Sequence, residues 1–107
     1  MQKGILFVSA TRFEVEGLIA QSEQVGDNLY GNLDFMILVG GVGLMHMSFA
    51  LTQTLYLYPE IKQVIHLGIA GDYSEDKALG TVFQISSSSY GDLGTQSDGK
   101  FQSFYDD

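Results

Sequence analysis

Three short apolar runs, Ile5-Leu6-Phe7-Val8, Phe35-Met36-Ile37-Leu38-Val39 and Val64-Ile65-His66-Leu67, each stop at small residues, and this rhythm leaves few architectures open. Continuous β-favouring runs of this kind suit strands buried on both faces, as in sheets covered by helices. Ser9-Ala10 closes the first run, Gly40-Gly41-Val42-Gly43 the second and Gly68-Ile69-Ala70-Gly71 the third. In open α/β sheets, ligands sit beyond such strand ends. A glycine there lets a substrate approach the backbone, although a plain strand-to-loop turn needs glycine as well.

Between the runs lie two helical patterns. Thr11-Arg12-Phe13-Glu14 has the spacing of a capping box, with Thr11 as N-cap and Glu14 at the third helical position. A helix is expected from there to about Gln24, with Val15, Leu18 and Ile19 on its inner face and Glu16 and Glu23 outside; Gly17 weakens it slightly. Val25-Gly26-Asp27-Asn28 reads as a turn, and Leu29-Tyr30-Gly31-Asn32-Leu33 as a hairpin tip leading into the second run. A second helix is predicted over residues 44–58 and stops at Pro59. It is apolar around most of its circumference, with Met47, Leu51 and Leu55 on one stripe and Met45, Phe49, Tyr56 and Leu57 elsewhere. A surface helix needs only one such stripe, so this one either lies deep in a larger core or meets a second subunit.

Thr81-Val82-Phe83-Gln84-Ile85 is expected to be a further strand, continued or edged by Ser86-Ser87-Ser88-Ser89. The remaining tail is polar and acidic, without a final helix. A β-α-β-β-α-β-β order without repeats predicts an α/β sandwich with a mixed, mainly parallel sheet and no internal domain boundary over residues 1–107. Two helices would cover one sheet face thinly, so the chain reads as the first half of a larger domain.

Charge narrows the partners. Five basic residues face thirteen acidic ones, for a formal net charge of -8. Nucleic acid needs a basic stripe, and an anionic membrane surface needs basic clusters; neither is present. The absence of cysteine rules out disulfides, thiolate nucleophiles and thiolate metal sites, and fits a reducing cytoplasm. Residues 5–8 are too short an apolar run for a signal-peptide core or a membrane span.

Gly41-Val42-Gly43 resembles a dinucleotide fingerprint but fails it. His46 stands where the third glycine belongs, and Lys62-Gln63 falls where an acidic residue should follow. His46 and His66 are too isolated for a metal site, so no metal and no cofactor is expected. A phospho-acceptor receiver domain is likewise disfavoured, since Ser9-Ala10 replaces its acidic pair and Val39-Gly40 its acceptor aspartate. Glu14 has two readings. It either completes the capping box by reaching the Thr11 backbone N–H, or stands as a general base at the mouth of the first strand.

Taken in order, Ile5-Leu6-Phe7-Val8, Glu14-Val15, Gly40-Gly41-Val42-Gly43, Gly68-Ile69-Ala70-Gly71 and Leu79-Gly80-Thr81-Val82 resemble the nucleoside phosphorylase and nucleosidase superfamily. The addition of Tyr90-Gly91-Asp92-Leu93-Gly94 makes the chain most similar to the futalosine hydrolases within it. The resemblance implies the amino-terminal half of a three-layer α/β/α sandwich and hydrolysis of a purine N-glycosidic bond. Glu14 would then position and deprotonate the water. Ala10, Gly43, Ile69, Ala70 and Gly71 would line the purine nucleoside, and the helix over residues 44–58 would join two copies in a homodimer. Many relatives that cleave methylthioadenosine or S-adenosylhomocysteine carry serine where this chain has Ile69. Phosphorylases need arginines that are missing here, Arg12 being the sole arginine. The acid that protonates the base and the glutamate that grips the ribose belong to the second half of the family domain, so the chain on its own is expected to turn over little.

Overall fold

The computed structural model of the chain describes residues 4–71, 78–88, 94–97 and 99–103. They fall into two compact units, Met1–Gly71 and Asp72–Asp107. The first unit is a mixed α/β domain. Its strands are β1 (Ile5–Ser9), β2 (Glu23–Gly26), β3 (Leu29–Gly31), β4 (Phe35–Val39) and β5 (Gln63–His66). A single 3₁₀ turn (Arg12–Val15) runs into the short helix α1 (Glu16–Ile19), and the longer α2 (Leu44–Leu57) lies between β4 and β5.

The five strands form one sheet in the order β2-β3-β4-β1-β5. β1 is flanked by parallel partners, with Val8 opposite Leu38 on one side and His66 on the other. β2, β3 and β4 pair antiparallel. The sheet is therefore mixed, with its parallel half centred on β1.

Alternation along the strands sorts the core into two clusters. Leu6, Val8, Leu29, Met36 and Leu38 pack together, covered by Met47, Ala50 and Leu51 of α2. Tyr30 and Ile37 pack with Val15 and Ile19, joined by Phe7, Phe35, Val39 and Leu18. Phe7 and Phe35 meet edge to face at 5.2 Å. Successive strand residues point to opposite faces, so one helical segment covers each side of the sheet.

The first expected helix is cut short. Its bonds tighten into Gln21 N–H to Leu18 O and Ser22 N–H to Ile19 O, and Asn32 Nδ2 then donates to the Gln21 carbonyl. Glu23 and Gln24, expected to be helical, instead pair with Gly31 and Tyr30 as β2. The turn narrows to Asp27-Asn28, where Asn28 takes φ 55°, a left-handed conformation asparagine tolerates. α2 matches its expected span to within one residue. Gly43 precedes it at φ 96°, open mainly to glycine, and Tyr58 leaves the helical region before Pro59.

In the second unit, Thr81-Val82-Phe83-Gln84-Ile85 is exposed and forms no strand, which corrects the expectation. Residues 86–88 are exposed and also outside any strand, while Ser89 and residues 90–93 lie outside the described residues. The tail contains a hairpin, β6 (Gly94–Ser97) paired antiparallel with β7 (Lys100–Ser103). Its turn places Gly99 at φ 75°. Among the described residues, no helix is long and apolar enough to cross a membrane.

Candidate functional site

The carboxyl end of β1 is where the loops converge. Gly40 N–H, opening the glycine block after β4, donates to the Ser9 carbonyl at 2.8 Å. Leu67 N–H, at the exit of β5, donates to the Val8 carbonyl, also at 2.8 Å. The three small-residue breaks thus leave the sheet side by side, as parallel pairing of β4, β1 and β5 requires.

Glu14 reaches this junction from the 3₁₀ turn. Thr11 sits at the N-cap in an extended conformation, φ -129° and ψ 152°, yet its side chain makes no cap to the backbone. Its hydroxyl donates instead to Glu14 Oε1 at 2.8 Å. The other carboxylate oxygen, Oε2, accepts the backbone N–H of Ile69 at 2.8 Å. A Cβ on Gly68 would stand 3.0 Å from that same oxygen, so glycine gives the loop its close approach.

Behind Thr11 stands Ser9, wholly buried, whose hydroxyl donates to the Thr11 carbonyl at 3.1 Å. The chain of contacts runs from the end of β1 through Thr11 and Glu14 to the loop after β5.

These donors hold the Glu14 carboxyl below its ordinary value of 4.5. The Thr11 hydroxyl is the largest cause and the Ile69 N–H the next; partial burial opposes them, and the Thr11 N–H and the electrostatic influence of His66 add smaller lowering effects. The group is therefore ionised at neutral pH. A carboxylate has about four lone-pair sites, so each oxygen can still accept from a water or a ligand hydroxyl. The lowered pKa keeps the acceptor charged but makes it a weaker base than a free glutamate.

Of the sequence-selected residues, Glu14 and Ile69 are brought into direct contact. Ile69 does so through its backbone, its side chain being 80% exposed. Ala70 and Gly71 continue the same loop and are exposed, and Ala10 is half-buried just past β1. Gly43 stands at the head of α2, outside the hydrogen-bond network that joins Glu14 to Ile69. His46, on the first turn of α2, has Nδ1 3.1 Å from the Val42 carbonyl. Thr11 and Ser9 are the residues that sequence reasoning undervalued. Sequence position alone makes the one a helix cap and the other a strand terminator. The Ser9-Ala10-Thr11 spacing ahead of Glu14 was the available signal.

Two concavities among the described residues lie elsewhere. One is a shallow surface along α2 lined by Phe49, Thr52 and Tyr56. The other, of about 230 Å³, lies between the β2–β3 turn and the last turns of α2, lined by Asp27, Gln53, Thr54 and Tyr58 among others. No family model matches the chain, and neither a curated protein nor a solved structure matches it significantly.

Proposed function

We propose that the chain supplies the water-activating side of a purine nucleosidase that hydrolyses the N-glycosidic bond of futalosine or its amino analogue, a step of menaquinone biosynthesis in the cytoplasm. One observation carries the reading. An ionised glutamate from the loop after β1 is tied to the glycine loop after β5, at the carboxyl ends of adjoining parallel strands. Water held by Glu14 would lose its proton to the carboxylate as its oxygen bonds to the anomeric carbon. The C–N bond breaks with its electron pair going to the base, which takes up a proton from an acid outside this network. The exposed Ile69, Ala70 and Gly71 would form one wall for base and ribose, with Ala10 and Gly43 beside it. The helical segments on opposite faces of the sheet accord with a nucleoside phosphorylase-like three-layer arrangement.

The competing reading is a non-catalytic half-site. The exposure of residues 68–71 favours it, because a nucleoside bound there would remain open to solvent. Cleavage of methylthioadenosine, or phosphorolysis, is a further alternative.

Incubating the chain, and any longer polypeptide that contains it, with futalosine and with methylthioadenosine separates these readings by the free base released. Release from futalosine supports the proposal, and release from methylthioadenosine alone shifts the substrate. No release by any version sinks the hydrolase reading.

The same reading makes the outer face of α2 a homodimer surface. Residues 44–58 contain no acidic residue, lysine or arginine in a chain of net charge -8. Two copies therefore meet there without bringing like charges together. Met45 and Tyr56, each 84% exposed, and Phe49, 69% exposed, supply apolar area for it.

A further inference from the structure

We infer that Thr11 is a positioning residue for Glu14: its hydroxyl, backed by buried Ser9, fixes which lone pairs of the carboxylate face an incoming ligand. The inference rests on Glu14 as the water-activating group, and it adds the part that aims it.

In a capping box, the hydroxyl of the first residue accepts the backbone N–H of the third helical position. Thr11 occupies the right place for that role but makes no such cap. A hydroxyl has one proton, and Thr11 gives it to Glu14 Oε1. A donor to an ionised acceptor is stronger than one between neutral groups, so this bond sets the orientation of the hydroxyl.

A carboxylate held through one oxygen can still rotate about its terminal torsion, which is broad and roughly two-fold. Glu14 is held through both. Thr11 engages Oε1 from the β1 side and the Ile69 N–H engages Oε2 from the β5 side, each at 2.8 Å. The plane is thereby fixed, and the remaining lone pair on each oxygen has a set direction. Ser9 is completely buried and its hydroxyl reaches the Thr11 carbonyl. That bond ties Thr11 to the buried end of β1, and so ties the aim of Glu14 to the core rather than to the exposed loop. Because Thr11 has given its proton away, its own lone pairs are also acceptors. A ligand at this place must bring donors, as water or a sugar hydroxyl does.

The test is a comparison of Thr11→Val, which keeps the shape and removes the donor, with Thr11→Ser, which keeps the donor. The Glu14 carboxyl is followed by NMR titration in each full-length variant, and base release from futalosine is followed against pH in these variants and in any longer polypeptide carrying the same substitution. Among the titratable and charged groups near Glu14, His66 on β5 and the neighbours Arg12 and Glu16 are unchanged in both variants. Thr11→Val is expected to raise the Glu14 pKa toward 4.5 and to carry the acid limb of the rate profile upward with it. The loss of aim lowers kcat by about 10- to 100-fold with little change in KM. Thr11→Ser restores the wild-type titration and most of the rate. Should the valine variant fail to fold, Thr11→Ala removes the hydroxyl without demanding space.

A Glu14 titration unchanged in Thr11→Val or Thr11→Ala overturns the inference whatever the activity. A titration shifted by Thr11→Val, with no base released by the chain or by any longer polypeptide that contains it, upholds the aiming of Glu14 and overturns the hydrolase reading instead. A rate lost equally in the serine and valine variants reduces Thr11 to a structural part.

Discussion

Glu14 Oε2 accepts the backbone N–H of Ile69 across 55 residues of sequence, joining the loop after the first strand to the loop after the fifth. The contact serves the fold and the proposed chemistry together. It closes a long loop by a charge-assisted bond, and it leaves an ionised acceptor where three strand ends meet.

The pH dependence of stability follows from that bond. Glu14 has a folded-state pKa below 4.5, so on acidification the unfolded chain takes up the proton first. The stability Glu14 contributes is full above 4.5 and is lost as pH falls through the lower folded-state value. Glu14→Gln removes this component. The urea midpoint of the native chain should exceed that of the variant at neutral pH, with the gap closing below pH 4.5. A gap independent of pH would count against the tie.

Gly68 sets how closely the loop can approach. A methyl group there would stand 3.0 Å from the Glu14 oxygen that accepts the Ile69 N–H, whereas one on Gly71 meets nothing within 4 Å. Gly68→Ala should therefore push the carboxylate off the Ile69 N–H and raise the Glu14 pKa. Gly71→Ala should leave that pKa in place. NMR titration of both variants checks the pair, and equal titrations would show that the loop yields freely.

Parts of this arrangement were legible in the sequence and parts were not, for physical reasons. β1 and β4 stand where continuous apolar runs place them, because strands buried on both faces need no alternation. α2 lies between Gly43 and Pro59, whose backbone restrictions act locally. The helix expected to reach Gln24 stops at Ile19, the last of its core-facing residues. Beyond it no apolar stripe holds the segment to the sheet, and pairing with β3 outweighs helical preference. Thr81-Val82-Phe83-Gln84-Ile85 has local β preference, but preference alone does not make a strand, and none forms here. The β6–β7 hairpin has its sequence signal in Asp98-Gly99, a pair that favours a tight turn. Glu14 could be selected as a carboxylate near a strand end. Its partner Ile69 acts through a backbone N–H, which no side-chain identity reveals.

Gly40 tests the packing of α2 against the end of β4. A Cβ there would collide with the Met47 side chain, coming within 2.8 Å of Cε and closer still to the sulfur. Met47 packs on the core cluster of Leu6, Val8, Met36 and Leu38, so withdrawing its end from position 40 disturbs that packing. Gly40→Ala should cost about 1–3 kcal/mol of stability by overpacking. Truncating Met47→Ala alone should also destabilise, by opening space. The double variant should be more stable than the sum of the two losses predicts, as denaturant midpoints would show. Simple additivity would mean that Met47 and position 40 do not compete for one volume.

Association through α2 gives the last expectation. Phe49 and Tyr56 lie on the exposed side of the helix, 69% and 84% accessible, away from Met47, Ala50 and Leu51, which face the core. Replacing both with glutamate should leave the domain fold intact, since exposed substitutions cost about 0.5 kcal/mol or less. In a dimer, the two new charges on each copy would face their counterparts across a charge-free surface, where desolvation and like-charge repulsion both oppose contact. Sedimentation should therefore find two copies for the native chain and one for Phe49→Glu/Tyr56→Glu, with unchanged circular dichroism. A native chain that stays monomeric at high concentration would leave the apolar face of α2 without the second copy proposed for it.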